Sequence, residues 1–133
     1  MEANPGVEDH WRWRMRMAQA IADELDPEPF GVVALYVFGS TKNATAGPGS
    51  DIDLLIHFKG SPEQEVELRL WFAAWSRRLA EINFHRTGFE SEGLLDLHLV
   101  TDDDIRRRTS YAIQIGATTD AARLLPMKQS QSH

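Results

Sequence analysis

No cysteine occurs among the 133 residues. Disulfide scaffolds, thiolate nucleophiles and zinc–thiolate sites are thereby excluded, and the chain fits a reducing cytoplasm. There is no basic excess either: 14 Lys and Arg stand against 20 Asp and Glu, for a net charge of −6. Binding long nucleic acid without sequence preference needs a basic footprint, so no long nucleic acid is expected as a partner. No apolar run is long enough to span a membrane. The acidic start, MEANPGVEDHWRW, lacks the apolar core of a secretory leader. Repeats and low-complexity blocks are absent too. What remains is 42% apolar residues in a chain of ordinary domain length, enough for one real core. The expectation is a single domain over residues 1–133 with its core at about 30–116 and flexible ends at 1–7 and 128–133.

The apolar pattern outlines the elements. Residues 8–25 read as a helix that the prolines at 27 and 29 stop. Trp11, Trp13, Met15 and Met17 alternate with arginines, which is a strand period. Trp11, Met15, Ala18, Ala22 and Leu25 nevertheless share one helical face, and the Ala-rich continuation favours helix. Arg12, Arg14 and Arg16 then form a solvated face. Residues 31–38, GVVALYVF, are a fully apolar strand. A Gly/Ala/Thr/Pro loop with room for a helical turn follows, and 51–58 form a second strand. Ser61, Pro62 and Gln64 spell a helix start with a capping box. That helix runs to about residue 84, with Leu68, Trp71, Phe72, Trp75, Leu79 and Ile82 as its buried stripe. A polar linker over 85–93 leads to a third strand over 94–100. Thr101 and Asp104 cap a last helix, expected to reach Ile115, and a short amphipathic segment follows Gly116. The order implies an α/β (α+β) fold: a small mixed β-sheet flanked by helices.

Acids inside apolar strands carry the chemistry. Burying an unpaired carboxylate is costly, and a metal or a cation offsets that cost. Side chains alternate along a strand, so Asp51, Asp53, Leu55 and His57 share one face. Ile52, Leu54, Ile56 and Phe58 take the core face. Asp96 lies in a similar strand, LLDLHLV, opposite Leu95, Leu97 and Leu99. If the two strands are neighbours, the three acids meet. Gly39-Ser40 closes the first strand, and ten residues separate it from Asp51. A glycine there lets backbone approach a phosphate, and turn amides and a hydroxyl can donate to it. A carboxylate clamp beside an anion nest suits phosphoryl chemistry, in which two metals about 3.5–4 Å apart hold the attacking and leaving oxygens.

Gly39-Ser40, the ten-residue spacer, Ser50, Asp51-Ile52-Asp53-Leu54 and the later strand acid resemble the signature of the DNA polymerase β-like nucleotidyltransferase superfamily. The compact length resembles its minimal nucleotidyltransferase (MNT) branch. That branch includes antitoxins of HEPN/MNT toxin–antitoxin pairs and relatives of the aminoglycoside and lincosamide nucleotidyltransferases. The resemblance covers residues 30–100 and implies a polymerase β palm-like fold. It implies transfer of a nucleoside monophosphate from a nucleotide triphosphate, ATP first among them, to an acceptor hydroxyl with release of pyrophosphate. Asp51, Asp53 and Asp96 would be catalytic and hold two Mg2+ ions. Gly39, Ser40, Lys42 and Ser50 would bind the nucleotide. One departure stands out: the Arg-Gly that minimal members often carry after the Gly-Ser is Asn43-Ala44 here, with Lys42 before it. Lysine offers a point charge where arginine offers a fork.

Other polar clusters have blander readings. His98 and His57 read as bystanders. Asp102, Asp103 and Asp104 suit a helix N-terminus, where acids favour the dipole. Arg106, Arg107 and Arg108 read as a solvated face, and Trp71 and Trp75 as core or interface. A rival to catalysis is a binding module, an antitoxin that masks or AMP-modifies a helical HEPN-like partner through the N-terminal Trp/Met face or the Trp-bearing helix. A homo-oligomer is left open, as are the acceptor and the preferred base.

Overall fold

The computed structural model describes residues 7–108, 110–115 and 121–128. Helix α1 spans Val7–Glu24, so the helical period prevails over the Trp/Arg alternation. Its packing stripe is displaced from the expected one. Ala18, Ile21, Ala22 and Leu25 are fully buried and Trp13 nearly so, while Trp11 and Met15 are only partly covered. Arg14, one turn before Ala18 on that stripe, is also fully buried. The expectation of three solvated arginines therefore fails at its middle member. The cause is a set of acceptors distant in sequence, described below. The Trp/Met face proposed as a contact surface also faces inward at Trp13.

Strand β1, Val32–Phe38, is followed by the single helical turn α2, Gly39–Lys42, and by strand β2, Ile52–Phe58. Helix α3, Pro62–Thr87, opens on the expected capping box. Ser61 Oγ accepts from the Gln64 amide at 3.1 Å, and Gln64 Oε1 accepts from the Ser61 amide at 2.8 Å. The helix continues three residues beyond the expected end, into the presumed linker, and stops at Gly88, whose φ of 80° is left-handed. Strand β3 is Leu95–Val100. Helix α4 covers only Asp102–Arg107 before Arg108 turns left-handed at φ 55°, and a 3-10 helix, η1, occupies Ser110–Gln114. One continuous helix to Ile115 is thus corrected to two pieces. The break returns Ala112 to the sheet, where it is buried with Leu55 and Val100. The segment expected after Gly116 proves to contain strand β4, Arg123–Leu125. Its pairing with Leu35–Val37 is a long-range choice that local pattern does not carry. Residues 116–120, and most of the two ends expected to be flexible, lie outside the described residues.

The sheet order is β3-β2-β1-β4. β1 runs antiparallel to β2 and β4, and β2 runs parallel to β3. It is the mixed α+β architecture expected. One face carries Leu35, Val37, Ile52, Leu54 and Ile56 against Ile21 and Leu25 of α1 and Leu68, Phe72 and Leu79 of α3. Each such side chain, when fully buried, contributes about 1.5–3 kcal/mol. The other face is only half open. Leu55 shares it with Asp53 yet is fully buried, in a second cluster with Val100 and Ala112 that Tyr36, Phe38 and Ile105 border. Among the described residues, no helix is long and apolar enough to cross a membrane.

Candidate active site

The register across the half-open face sorts its side chains into rows. Phe38 pairs with Asp53 and Asp53 with Asp96; one row deeper, Tyr36 pairs with Leu55 and Leu55 with His98. The acids of two strands are thus direct neighbours, as the strand alternation anticipated. Each of Asp53, Asp96 and His98 offers a ligand atom within 4.8 Å of the others. His98 Nε2 lies 3.2 Å from Asp96 Oδ2. The imidazole, expected to be a bystander, therefore belongs to the cluster. Its ring packs on Tyr111, with centroids 3.8 Å apart, and on Phe38 at 5.5 Å. The signal for it was present: His98 sits two residues from Asp96 in an alternating strand, but a lone histidine seldom justifies the inference.

Two devices hold the strand that carries Asp96. Ser76 Oγ, in mid-α3, accepts from the amides of Leu94 and Leu95, both at 3.0 Å. The Ile52 amide donates to Leu94 O at 2.7 Å. A Cβ on Gly93 would lie 2.6 Å from Ser76 Oγ, so this docking depends on glycine. Asp51 stands just ahead of β2 and is exposed. Its carboxyl is close enough to Asp96 and Arg14 to feel the charge of both.

The crowding of acids is visible in their protonation. Partial burial first, and then the charge of Asp96, push Asp53 up to about 6. A hydrogen bond to Asp96, which exists only while one carboxyl holds a proton, acts in the same direction. Burial and Asp96 raise Asp51 as well, with Arg14 opposing. For an acid raised in the folded state, the stabilising contribution is present below the unfolded pKa of about 3.9 and is lost as pH rises through 6. Asp53→Asn is therefore expected to raise the Tm of the metal-free protein at pH 7.5, with the gain shrinking toward zero by pH 4.5. Thermal melts of both proteins across that window check it; a gain independent of pH would contradict the assignment.

The Gly-Ser turn faces these acids. Gly39 has φ 71°, and a Cβ there would sit 2.2 Å from Asp53 Oδ2. The glycine thus gives the Asp53 carboxylate its space. From it, α2 begins: the Asn43 amide donates to Gly39 O at 3.0 Å and the Thr45 amide to Ser40 O at 2.9 Å. Lys42, in the same turn, is partly buried. Ala44 adopts φ 61°, a left-handed conformation that favours glycine. The turn thus holds an alanine in a glycine-type conformation.

The second half of the loop is held from below. Ser50 Oγ accepts from the Gly47 amide at 2.9 Å, and the Ser50 amide donates to Gly47 O at 3.2 Å, closing a turn. The Ser50 hydroxyl, expected to meet the nucleotide, is engaged in this turn. Arg14 Nε donates to Ser50 O at 2.8 Å and its Nη2 to Pro48 O at 3.1 Å. Asn83, also fully buried, donates to Pro48 O at 2.8 Å and accepts from Arg14 at 3.3 Å. Burial, then Arg86, lower Arg14 to about 10, with Asp51 opposing, so it is a cation at neutral pH.

The remaining polar clusters lie elsewhere. His57 Nε2 meets Asp102 Oδ1 at 2.5 Å, and Lys59 approaches the same carboxylate at 3.6 Å. That contact with His57 is the main reason the Asp102 carboxyl is lowered. Thr101 and Asp104 form the expected capping box. Arg106 and Arg107 are exposed and pair with Asp103 on their own helix.

The nucleotidyltransferase domain family model matches residues 16–114. Among curated proteins none matches the chain. A solved structure of a candidate nucleotidyltransferase from Sulfolobus solfataricus is similar at 19% identity and a TM-score of 0.45, over 80% of this chain and 84% of that one.

Proposed function

The chain belongs to the nucleotidyltransferase domain family, and from that premise we propose that it transfers a nucleoside monophosphate from a nucleotide triphosphate to an acceptor hydroxyl. The observation that carries this reading is the adjacency of Asp53 and Asp96 on paired strands, facing a glycine turn shaped around Asp53. Their carboxylate oxygens, with the His98 nitrogen in reach, fit a hard divalent cation. Burial and the neighbouring Asp96 raise the Asp53 carboxyl, a crowding of acids that a bound cation would relieve. Asp51, Asp53 and Asp96 would hold two Mg2+ ions, which when bound neutralise the triphosphate and polarise its phosphoryl oxygens.

The protein's own groups then do the rest. Amides after Gly39, the Ser40 hydroxyl and the Lys42 ammonium hold the β and γ phosphates in line. Asp96 takes the proton of the acceptor hydroxyl. The acceptor oxygen bonds to the α phosphorus as the bond to pyrophosphate breaks. ATP is the first donor to try, and the cytoplasm, where nucleotide triphosphates are abundant, is the setting. The acceptor-free alternative, a module that masks a helical partner, loses part of its surface because Trp13 faces the core.

The test is incubation with each α-labelled nucleotide triphosphate, Mg2+ and cell lysate. Label should appear on a single acceptor class, protein, RNA or small molecule, and depend on the divalent cation. No label from any of the four nucleotides, under conditions where the protein is folded, would refute transfer.

A further inference from the structure

A buried arginine needs an explanation that the acidic site alone does not supply. Arg14 is fully buried, and among the described residues its hydrogen-bond acceptors are neutral: His10 O, Pro48 O, Ser50 O and the side-chain oxygen of Asn83. Neutral acceptors do not require a cation, and a buried charge is often no better for stability than well-packed apolar residues. Three of the four acceptors are nevertheless far along the chain, and two are carbonyls one and three residues before Asp51. Asn83 reaches one of the same carbonyls from α3. On the far side of Asp51, the Ile52 amide is tied to Leu94. The backbone of Asp51 is therefore clamped on both flanks, and the Arg14 charge beneath it offsets its repulsion from Asp96.

We propose that Arg14 and Asn83 are a positioning pair: they fix the Pro48–Ser50 backbone so that Asp51 leaves the turn aimed toward Asp53 and Asp96. Neither residue belongs to the acid cluster. They act through the loop, which they grip from two helices that otherwise serve the core. The glycine of this turn supports the arrangement, since a Cβ on Gly49 would lie 2.7 Å from the Phe89 ring that covers it. The inference deepens the metal-dependent reading of the site and rests on it for its functional meaning.

The test uses Arg14→Lys, which keeps the charge but not the fork, and Asn83→Ala, which changes no charge. Asp53→Asn is the control. Mn2+ affinity is read by electron paramagnetic resonance at a temperature where every variant is folded. Amide exchange at Gly47 and Ser50 is read in the same samples. Both variants should bind Mn2+ at least about fivefold more weakly and exchange those amides at least about tenfold faster, and the double variant should be little worse than the weaker single one. A merely structural role would lower Tm in both while leaving Mn2+ affinity at its wild-type value, and that result overturns the proposal. If Asp53→Asn also binds Mn2+ like wild type, the metal reading of the site falls instead. Amide exchange then decides alone, and wild-type protection in both variants overturns the pair. Should Arg14→Lys fail to fold, Asn83→Ala carries the same outcomes.

Discussion

Asp53→Asn is expected to cut nucleotide transfer by about a thousandfold or more, in the range seen when a preorganised electrostatic partner of the reacting group is removed. The fold should survive, because Asp53 lies off the main core face and its ionised form is a burden there at neutral pH. The substitution preserves shape and removes only the charge. Divalent-cation affinity should fall with activity, since Asp53 is shared by the carboxylate pair and the imidazole group. Transfer of labelled nucleotide, cation binding and a thermal melt, taken on one preparation, check all three statements. Transfer within a factor of a few of wild type would remove Asp53 from the chemistry.

Gly39→Ala should do comparable damage by a different route. The backbone at 39 is left-handed, which costs an alanine about 1–2 kcal/mol. The added methyl would also stand 2.2 Å from Asp53 Oδ2, far inside the contact distance of a non-bonded carbon and oxygen. Either the carboxylate turns away or the turn shifts. A denaturation midpoint lowered by an amount of that order is expected, together with loss of transfer close to that of Asp53→Asn. Gly47→Ala is the matched control, because a Cβ there meets nothing within 4 Å. Equal activity in the two alanine variants would show that Gly39 is not needed for the geometry of Asp53.

Much of this was legible locally. The alternation in IDLLIHF and LDLHLV places acids opposite leucines, and the register confirms which residues share a row. Both capping boxes were readable because a cap involves residues three apart. The limits follow the same logic. A helical stripe can be displaced by one residue without altering composition, so Arg14 looked solvated until its acceptors at Pro48, Ser50 and Asn83 were brought to it. Leu55 and His98 shared the presumed open face, and only the break at Arg108 folds η1 back to bury one and stack on the other.

The chain by itself determined the apolar strands, the helix starts, the glycine turn and the three acids, because each depends on side-chain period or on neighbours within one turn. The tertiary structure alone decided which strands touch, that an imidazole joins two of the acids, and that a buried guanidinium reaches beneath the loop before Asp51. Those contacts span large separations in sequence. Their energies come from burying charge and backbone together, and that becomes visible only once the helices are packed on the sheet.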